Sequence, residues 1–267
     1  MFSDDDAGRY LFHYTRAETF MTHILPTSRL RMSSFKYLND PRESKNWLCS
    51  VSIEPGVEGT WDVGAIAKSF TEQMKGSAFV LCFTRDDPNL RPGRRAHLYG
   101  RGYAHPSMWD RYAGGHSGVC LALDIDTLGD DIAQAVAAKG ELLYQGVHYD
   151  DMPPTDELAF TVDGTAIVEL GEDEALRRHQ KDHQGALYFY KSTDWKAEFE
   201  FRWVLLADDS SKEYYIDVSR SLKGVIFGDA FPEEAVNLVW SLLHPSGVQL
   251  ARLKYLNGNP TIQPIAP

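Results

Sequence analysis

The chain has 267 residues, 43% hydrophobic and 12% aromatic, enough for a substantial core in one large domain or two small ones. Lys and Arg number 27 against 38 Asp and Glu, a formal net charge of -11, so the overall field repels nucleic acid and anionic membrane, and a polyanionic ligand needs a local basic site. Cys49, Cys82 and Cys120 fit no zinc or CxxC spacing and read as reduced, buried thiols of a cytoplasmic protein; the acidic N-terminus lacks signal-peptide order, and no apolar run is long enough to span a bilayer.

Tyr10 to Tyr14 is predicted as a first strand, followed by a helix whose Ala17, Phe20, Met21 and Ile24 share one face. Thr15, with Glu18 three residues on, reads as the N-cap of that helix in a capping box. His13 has no such local role. A strand-end imidazole is either a satisfied structural residue or a hydrogen-bonding group for a ligand. Leu30 to Phe35 reads as a returning strand. Asp40, Pro41 and Glu43 occupy the N-cap, N1 and N3 positions of a helix running towards Cys49, which assigns them mainly to capping, while Asn39 and Asp40 stand where a helix start can meet a ligand.

Val63 to Met74 gives a helix with Ile66, Phe70 and Met74 in a stripe, and Ala78 to Thr84 and Gly118 to Asp124 give two strands. Between these strands lies the stretch from Arg85 to Ser107, with Arg91, Arg94, Arg95 and Arg101 interleaved by His97, Tyr99, Tyr103 and His105. Such clustering is either a site for a phosphate-bearing ligand or a solvated basic loop that balances nearby acids. Trp109 and Tyr112 share a helical face and either clamp a flat heterocycle or anchor the core.

A helix is predicted over Thr127 to Lys139, a strand over Glu141 to Tyr149 and a polar helix over Glu172 to Gln184, with Leu187 to Lys191 extending it or beginning another. His179 and His183 have the separation of a helical zinc pair, yet the glutamate of zinc peptidases is missing and their neighbours look solvated, so no metal is assigned. Trp195 to Arg202 reads as a strand with Ala197, Phe199, Phe201 and Trp203 on one face and Lys196, Glu198, Glu200 and Arg202 on the other. Its two carboxylates would lie about 6.5 to 7 Å apart on one face, an arrangement that pushes pKa values apart in acid/base and cation-stabilising sites.

Strands at Tyr214 to Val218 and Leu222 to Phe227, a helix from Pro232 to Leu243 and a strand at Val248 to Leu256 close the chain. No repeat or linker interrupts residues 1–267, so the expected fold is a single α+β domain with a mixed or antiparallel sheet and flanking helices. No serine elbow, kinase set, Walker loop or Rossmann fingerprint is present.

Six motifs follow one another: Phe12-His13-Tyr14-Thr15; Phe35-x-x-Leu38-Asn39-Asp40-Pro41-x-Glu43; Cys82-Phe83-Thr84; Met108-Trp109-x-x-Tyr112-Ala113 with Gly118-Val119-Cys120-Leu121; Lys191-x-x-x-Trp195-x-x-Glu198-x-Glu200-x-Arg202; and Gly224-Val225-Ile226-Phe227-Gly228. In this order they resemble domain-of-unknown-function family 2971 over nearly the whole chain. The strand-borne His, the central aromatic pair and the late strand carrying Glu are more distantly similar to ADP-ribosyltransferases, including those of toxin and phage-defence systems. That likeness implies an ADP-ribosyltransferase-like fold that consumes NAD, with His13 on the ribose, Tyr112 or Trp109 on the nicotinamide, and Glu198 or Glu200 on the ribose hydroxyl. Tyr14, Thr15, Asn39 and Arg202 would complete the nucleotide contacts, Arg94 and Arg95 would take the pyrophosphate, and the acceptor would be nucleic acid or protein, or water in a glycohydrolase. The competing expectation is a non-catalytic nucleotide- or partner-binding defence or regulatory module that uses the Arg-rich loop 85–107.

Overall fold

A computed structural model describes residues 6–45, 47–56, 62–90 and 99–265. Its strands are β1 (Tyr10–Thr15), β2 (Arg29–Arg31), β3 (Ser33–Ser34), β4 (Ser50–Ser52), β5 (Ala78–Thr84), β6 (Val119–Asp124), β7 (Gly140–Gly146), β8 (His148–Tyr149), β9 (Thr161–Asp163), β10 (Tyr190–Lys191), β11 (Glu200–Ala207), β12 (Tyr215–Asp217), β13 (Leu222–Phe227), β14 (Gln249–Leu256) and β15 (Asn259–Pro264). The α-helices are α1 (Ala17–Thr19), α2 (Leu25–Thr27), α3 (Pro41–Ser44), α4 (Val63–Gly76), α5 (Pro106–Tyr112), α6 (Ile125–Val136), α7 (Gly164–Leu170), α8 (Glu172–Asp182), α9 (Gln184–Tyr188) and α10 (Glu233–Leu243). A π-helical segment, Phe20–Ile24, joins α1 to α2.

The main sheet runs β15-β14-β13-β6-β1-β5-β11-β7, with β3 added against β5. Only β13 and β14 pair in parallel within it, so this is an α+β fold with a mixed sheet and flanking helices. Alternation along the strands sends Leu11, Phe79, Leu81, Phe83, Leu121, Leu205 and Val225 to one face, where the stretch 17–27, α6 and α10 cover them. On the opposite face the core divides. Val80, Val204 and Leu206 pack under α4, α8 and α9, whereas Phe12, Tyr14, Cys120 and Ile226 pack against Met108 and Trp109 of α5. The interval between these two clusters is where polar side chains enter the fold.

β1 and β6 stay in register along their whole length, but β1 and β5 share one pair, Phe12↔Thr84. Past it the two strands part, and β3 takes up β5 at Val80 and Phe79 instead. The sheet is therefore split beside the end of β1.

Four predicted elements are corrected. Residues 195–198 are not strand: Thr193–Glu198 forms a 3-10 turn, started by Asp151 accepting from the Thr193 backbone and hydroxyl, and Phe199 in a left-handed backbone conformation (φ 43°) separates it from β11. The strand at 30–35 breaks at Met32 because its halves serve different partners, β12 and β5. The helix from Asp40 ends after one turn at Ser44, with the Trp47 indole donating to the Arg42 carbonyl. Thr15 is no N-cap. It is the last β1 residue, opposite Val119, and Arg16 precedes the helix without a side-chain cap.

Periodicity gave no warning of β4, β9, α7 or β15. These are short or edge elements whose formation depends on a distant partner, such as Ser50 to Ser52 against Thr161 to Asp163. Among the described residues no helix is long and apolar enough to cross a membrane.

Candidate functional site

The split in the sheet opens into a cavity of about 250 Å³. His13 and Tyr14 from β1, Asn39 and Glu43 from the segment around α3, Cys82 and Thr84 from β5, Tyr112 from α5, Lys191 from β10, and Glu198, Glu200 and Arg202 all line it. Arg31 and Tyr37 also line it, and Tyr37 is 81% exposed.

A buried chain of charges forms the inner wall. Arg202 is 1% exposed; its Nε donates to Glu200 Oε1 at 2.6 Å and its Nη2 to Oε2 at 2.9 Å, while Nη1 donates to Glu43 Oε1 and to the Tyr188 carbonyl. Lys191 Nζ bridges Glu200 Oε2 at 2.8 Å and Glu198 Oε2 at 2.7 Å. Glu198 Oε1 accepts from the Tyr112 hydroxyl at 2.9 Å and lies 3.8 Å from Arg111, whose other flank is the Trp195 ring.

The left-handed Phe199 explains how two glutamates meet one ammonium. A continuous strand would hold their Cα atoms about 6.5 to 7 Å apart in parallel projection. The kink instead turns Glu198 back from the end of the 3-10 segment, so both side chains converge on Lys191. A non-glycine residue in this conformation stores strain, and such strain clusters where a site over-determines the backbone.

Titration behaviour follows from these contacts. Burial pushes the Glu200 carboxyl up, but Arg202 and Lys191 together pull it down to about 2. Burial prevails at Glu43 and raises its carboxyl despite Arg202. Lys191 would lose its proton more easily on burial, yet Glu200 and Glu198 hold it charged above the ordinary lysine range. Burial raises the Cys82 thiol strongly, so this cleft cysteine is not a thiolate nucleophile.

His13 is held differently. Its Nδ1 lies 3.1 Å from the Cys82 carbonyl, across the parted strands. A carbonyl only accepts, so Nδ1 carries the proton; burial lowers the ring pKa, and the neutral imidazole keeps Nε2 as an acceptor.

Several expected contacts are corrected. Trp109 is fully buried, donates to the Tyr103 carbonyl and meets Tyr14 edge-on, so it anchors the core rather than a ligand. Thr15 does not line the cavity, and the Tyr14 hydroxyl is spent on the Gly102 carbonyl. Arg202 faces the cleft but is consumed by Glu43 and Glu200, which leaves it unsuited to a phosphate. Cys120 is buried as expected, whereas Cys49 and Cys82 are only partly covered. His179 and His183 turn to the Ala159 carbonyl and Asp156.

In the Arg-rich stretch, Arg101 is buried beside Asp86 at 3.3 Å, and Tyr103 and His105 are buried too. Asp86 also accepts from the Gly102 backbone at 2.7 Å, where a Cβ would fall 2.4 Å from the Phe12 ring. These residues pin the base of the loop. Arg91, Arg94, Arg95 and His97 lie outside the described residues.

The residues His13, Tyr112, Glu198 and Glu200 singled out from the sequence share this cavity; Lys191 was quoted in a motif without a role, and Glu43 was treated as a helix-start residue. The signal for Lys191 was its place at the end of the apolar run from Leu187, where a lone buried amine needs acidic partners.

Behind Glu43, Lys75 is buried with its Nζ donating to the Lys45 carbonyl and 4.3 Å from the Trp47 ring centroid. Burial lowers its pKa to about 8 from the ordinary 10.5, with Cys49 and Glu43 offsetting only part of the shift. Between these values the unfolded chain binds more protons, so this group makes stability rise with pH across that window. Lys75→Met is expected to remove the rise. Urea unfolding from neutral pH to roughly pH 10 measures it, and a pH-independent difference between wild type and variant would refute the assignment.

Residues 108–203 match the model of a family described as "Protein of unknown function (DUF2971)". The matched stretch runs from α5 into β11 and carries Tyr112, Lys191, Glu198, Glu200 and Arg202. The quoted motifs around His13, Asn39, Cys82 and Gly224 lie outside it. No curated protein and no solved structure matches the chain.

Proposed function

We propose that the cleft binds NAD and cleaves its nicotinamide–ribose bond, as in an ADP-ribosyltransferase or NAD glycohydrolase. The observation that carries this reading is Glu198, buried at the cavity wall between Lys191 and Tyr112 and sharing that cavity with His13. Heterolysis sends the bonding electron pair to the nicotinamide nitrogen and leaves oxocarbenium charge on the ribose. Three carboxylates against two buried cations leave the wall negative when all are ionised, which stabilises that charge more than the ground state.

Glu198 is the better catalytic carboxylate of the two. Both glutamates use both oxygens, but Glu200 is paired at two points with the Arg202 guanidinium as well as with Lys191, whereas Glu198 takes one bond each from Tyr112 and Lys191, so Glu200 acts by fixing Lys191. His13 Nε2 is the acceptor for a ribose hydroxyl, and Tyr112 stands beside the ring to be expelled. A cavity of about 250 Å³ falls below the roughly 300–1,000 Å³ of drug-sized sites, so it takes the nicotinamide riboside portion while the remainder passes the mouth near Arg31 and Tyr37. The acceptor after cleavage would be a nucleic acid, a protein or water, and a role in phage defence fits a reaction that spends NAD.

Incubation with NAD and candidate acceptors, with nicotinamide followed chromatographically, tests the reading. Nicotinamide release above the buffer rate is expected. Absence of release with every acceptor, together with no calorimetric NAD binding, would overturn it.

A further inference from the structure

Three cationic side chains line the cleft among the described residues: Arg202, Lys191 and Arg31. The first two are buried and spent on Glu43, Glu200 and Glu198. Arg31 differs from both. Its side chain is 59% exposed, and its ion pair to Glu213, at 3.3 Å, joins a carboxylate that is 62% exposed. A solvated pair of this kind is weak, so a ligand anion can take the guanidinium from it. The exchange does not strand Glu213, because the Tyr215 hydroxyl donates to its other oxygen at 2.8 Å.

Electrostatics restrict where a phosphate can lie. Carboxylates outnumber cations on the inner wall and the chain carries a formal net charge of -11, so a phosphate is repelled from the interior and needs a local cation at the mouth. Arg31 supplies that cation, and Ser33 lines the same cavity and is exposed. Tyr37 adds a flat surface there. Its 3-10 turn, Phe35–Tyr37, is anchored by Phe35, which is fully buried and meets the Tyr188 ring edge-on with centroids 5.2 Å apart, whereas the Tyr37 ring is left 81% exposed. An aromatic face held in water on an anchored turn can stack a nucleobase at little ordering cost.

We propose that Arg31 binds the pyrophosphate at the cleft mouth and that Tyr37 stacks on the adenine, so that the site selects the whole dinucleotide over its fragments. This assignment rests on the NAD reading of the cleft and supplies its outer half. The negative interior takes the riboside and its developing cation. The exposed guanidinium and ring take the part of the ligand that the interior repels or cannot hold.

The test titrates NAD, nicotinamide mononucleotide and nicotinamide riboside calorimetrically into the full chain carrying Glu198→Gln, which slows turnover during the titration. The mononucleotide is expected to bind about fivefold tighter than the riboside, the upper range of an exposed ion pair, and NAD about fivefold tighter again through base stacking. In the same background Arg31→Gln is expected to bring the mononucleotide to the affinity of the riboside, and Tyr37→Ala to bring NAD to that of the mononucleotide. Melting temperatures should stay unchanged, because both side chains lie in solvent. Glu213→Gln frees Arg31 and is expected to tighten both phosphate-bearing ligands about twofold without moving the riboside. Riboside binding with no gain for the phosphate-bearing ligands, or a gain that survives either Arg31→Gln or Tyr37→Ala, would overturn the outer assignment and leave the NAD reading intact. Binding by none of the three ligands would overturn both.

Discussion

Replacing Arg202 by Met is expected to destabilise the fold by about 3–5 kcal/mol at neutral pH, the cost of leaving buried carboxylates without their counter-charge. Arg202 is shared by Glu43 and Glu200 on opposite sides, and Met preserves the volume but supplies no donor. Arg202→Lys is expected to rescue little, because one ammonium cannot make both the paired contact to Glu200 and the contact to Glu43. The pH dependence distinguishes this from simple loss of packing. In the wild type Glu200 titrates at about 2, below the roughly 4.3 of an unfolded glutamate, so its contribution is present above the unfolded value and is lost as pH falls through about 2. In Arg202→Met burial raises both carboxyls, which protonate and stop resisting folding as the pH falls. The stability gap should therefore narrow from neutral pH towards pH 4. Urea unfolding across that range measures it. A variant within about 1 kcal/mol of wild type at neutral pH would show that the network is not what holds this face closed.

Glu198→Gln is expected to lower the rate of nicotinamide release by about 10²–10³-fold while leaving NAD affinity nearly unchanged, as for loss of a preorganised group aimed at transition-state charge. Glutamine keeps the size; its one oxygen can still accept from Lys191, and its NH2 can donate to the Tyr112 hydroxyl oxygen in place of the oxygen that accepted there, so the side chain stays in position while the charge is removed. Glu200→Gln should behave differently. It strips the pairing partner from Arg202 and Lys191 together, so melting temperature falls along with activity. Rates from single-turnover measurements and melting curves of the two variants separate these roles. Equal rates in wild type and Glu198→Gln would remove Glu198 from the chemistry, and a loss confined to a fully stable Glu200→Gln would transfer the catalytic role to its neighbour.

The difference between these glutamates was not legible in the sequence. Strict alternation from Trp195 to Arg202 places Glu198 and Glu200 as equivalent members of one polar face. The left-handed backbone at Phe199 breaks that equivalence, and it is fixed by contacts remote in sequence: Asp151 on Thr193, Tyr149 on the Glu200 amide, and His105 against the Phe199 ring. Glu43 was obscured for a related reason. Its position in Asp40-Pro41-x-Glu43 satisfies every rule for a helix start, and Asp40 does cap the Arg42 amide, yet the Glu43 side chain turns inward to Arg202. A local rule accounts for a residue without limiting it to one role.

The sequence by itself determined the α+β class, the strands Ala78 to Thr84, Gly118 to Asp124 and Leu222 to Phe227, and the helices near Val63, Thr127 and Pro232, because each writes its own burial into a period of two or 3.6 residues. It also marked His13, Tyr112, Glu198 and Glu200 as candidate site residues. Only the tertiary structure decided where the sheet parts, that Trp109 belongs to the core, and that Lys191 and Arg202 gather three carboxylates behind one cleft. Periodicity records which face of an element is buried. Which charges meet across that buried face depends on contacts that local periodicity does not record, such as Glu43 with Arg202, 159 residues apart, and on the requirement that a charge taken out of water finds its opposite there.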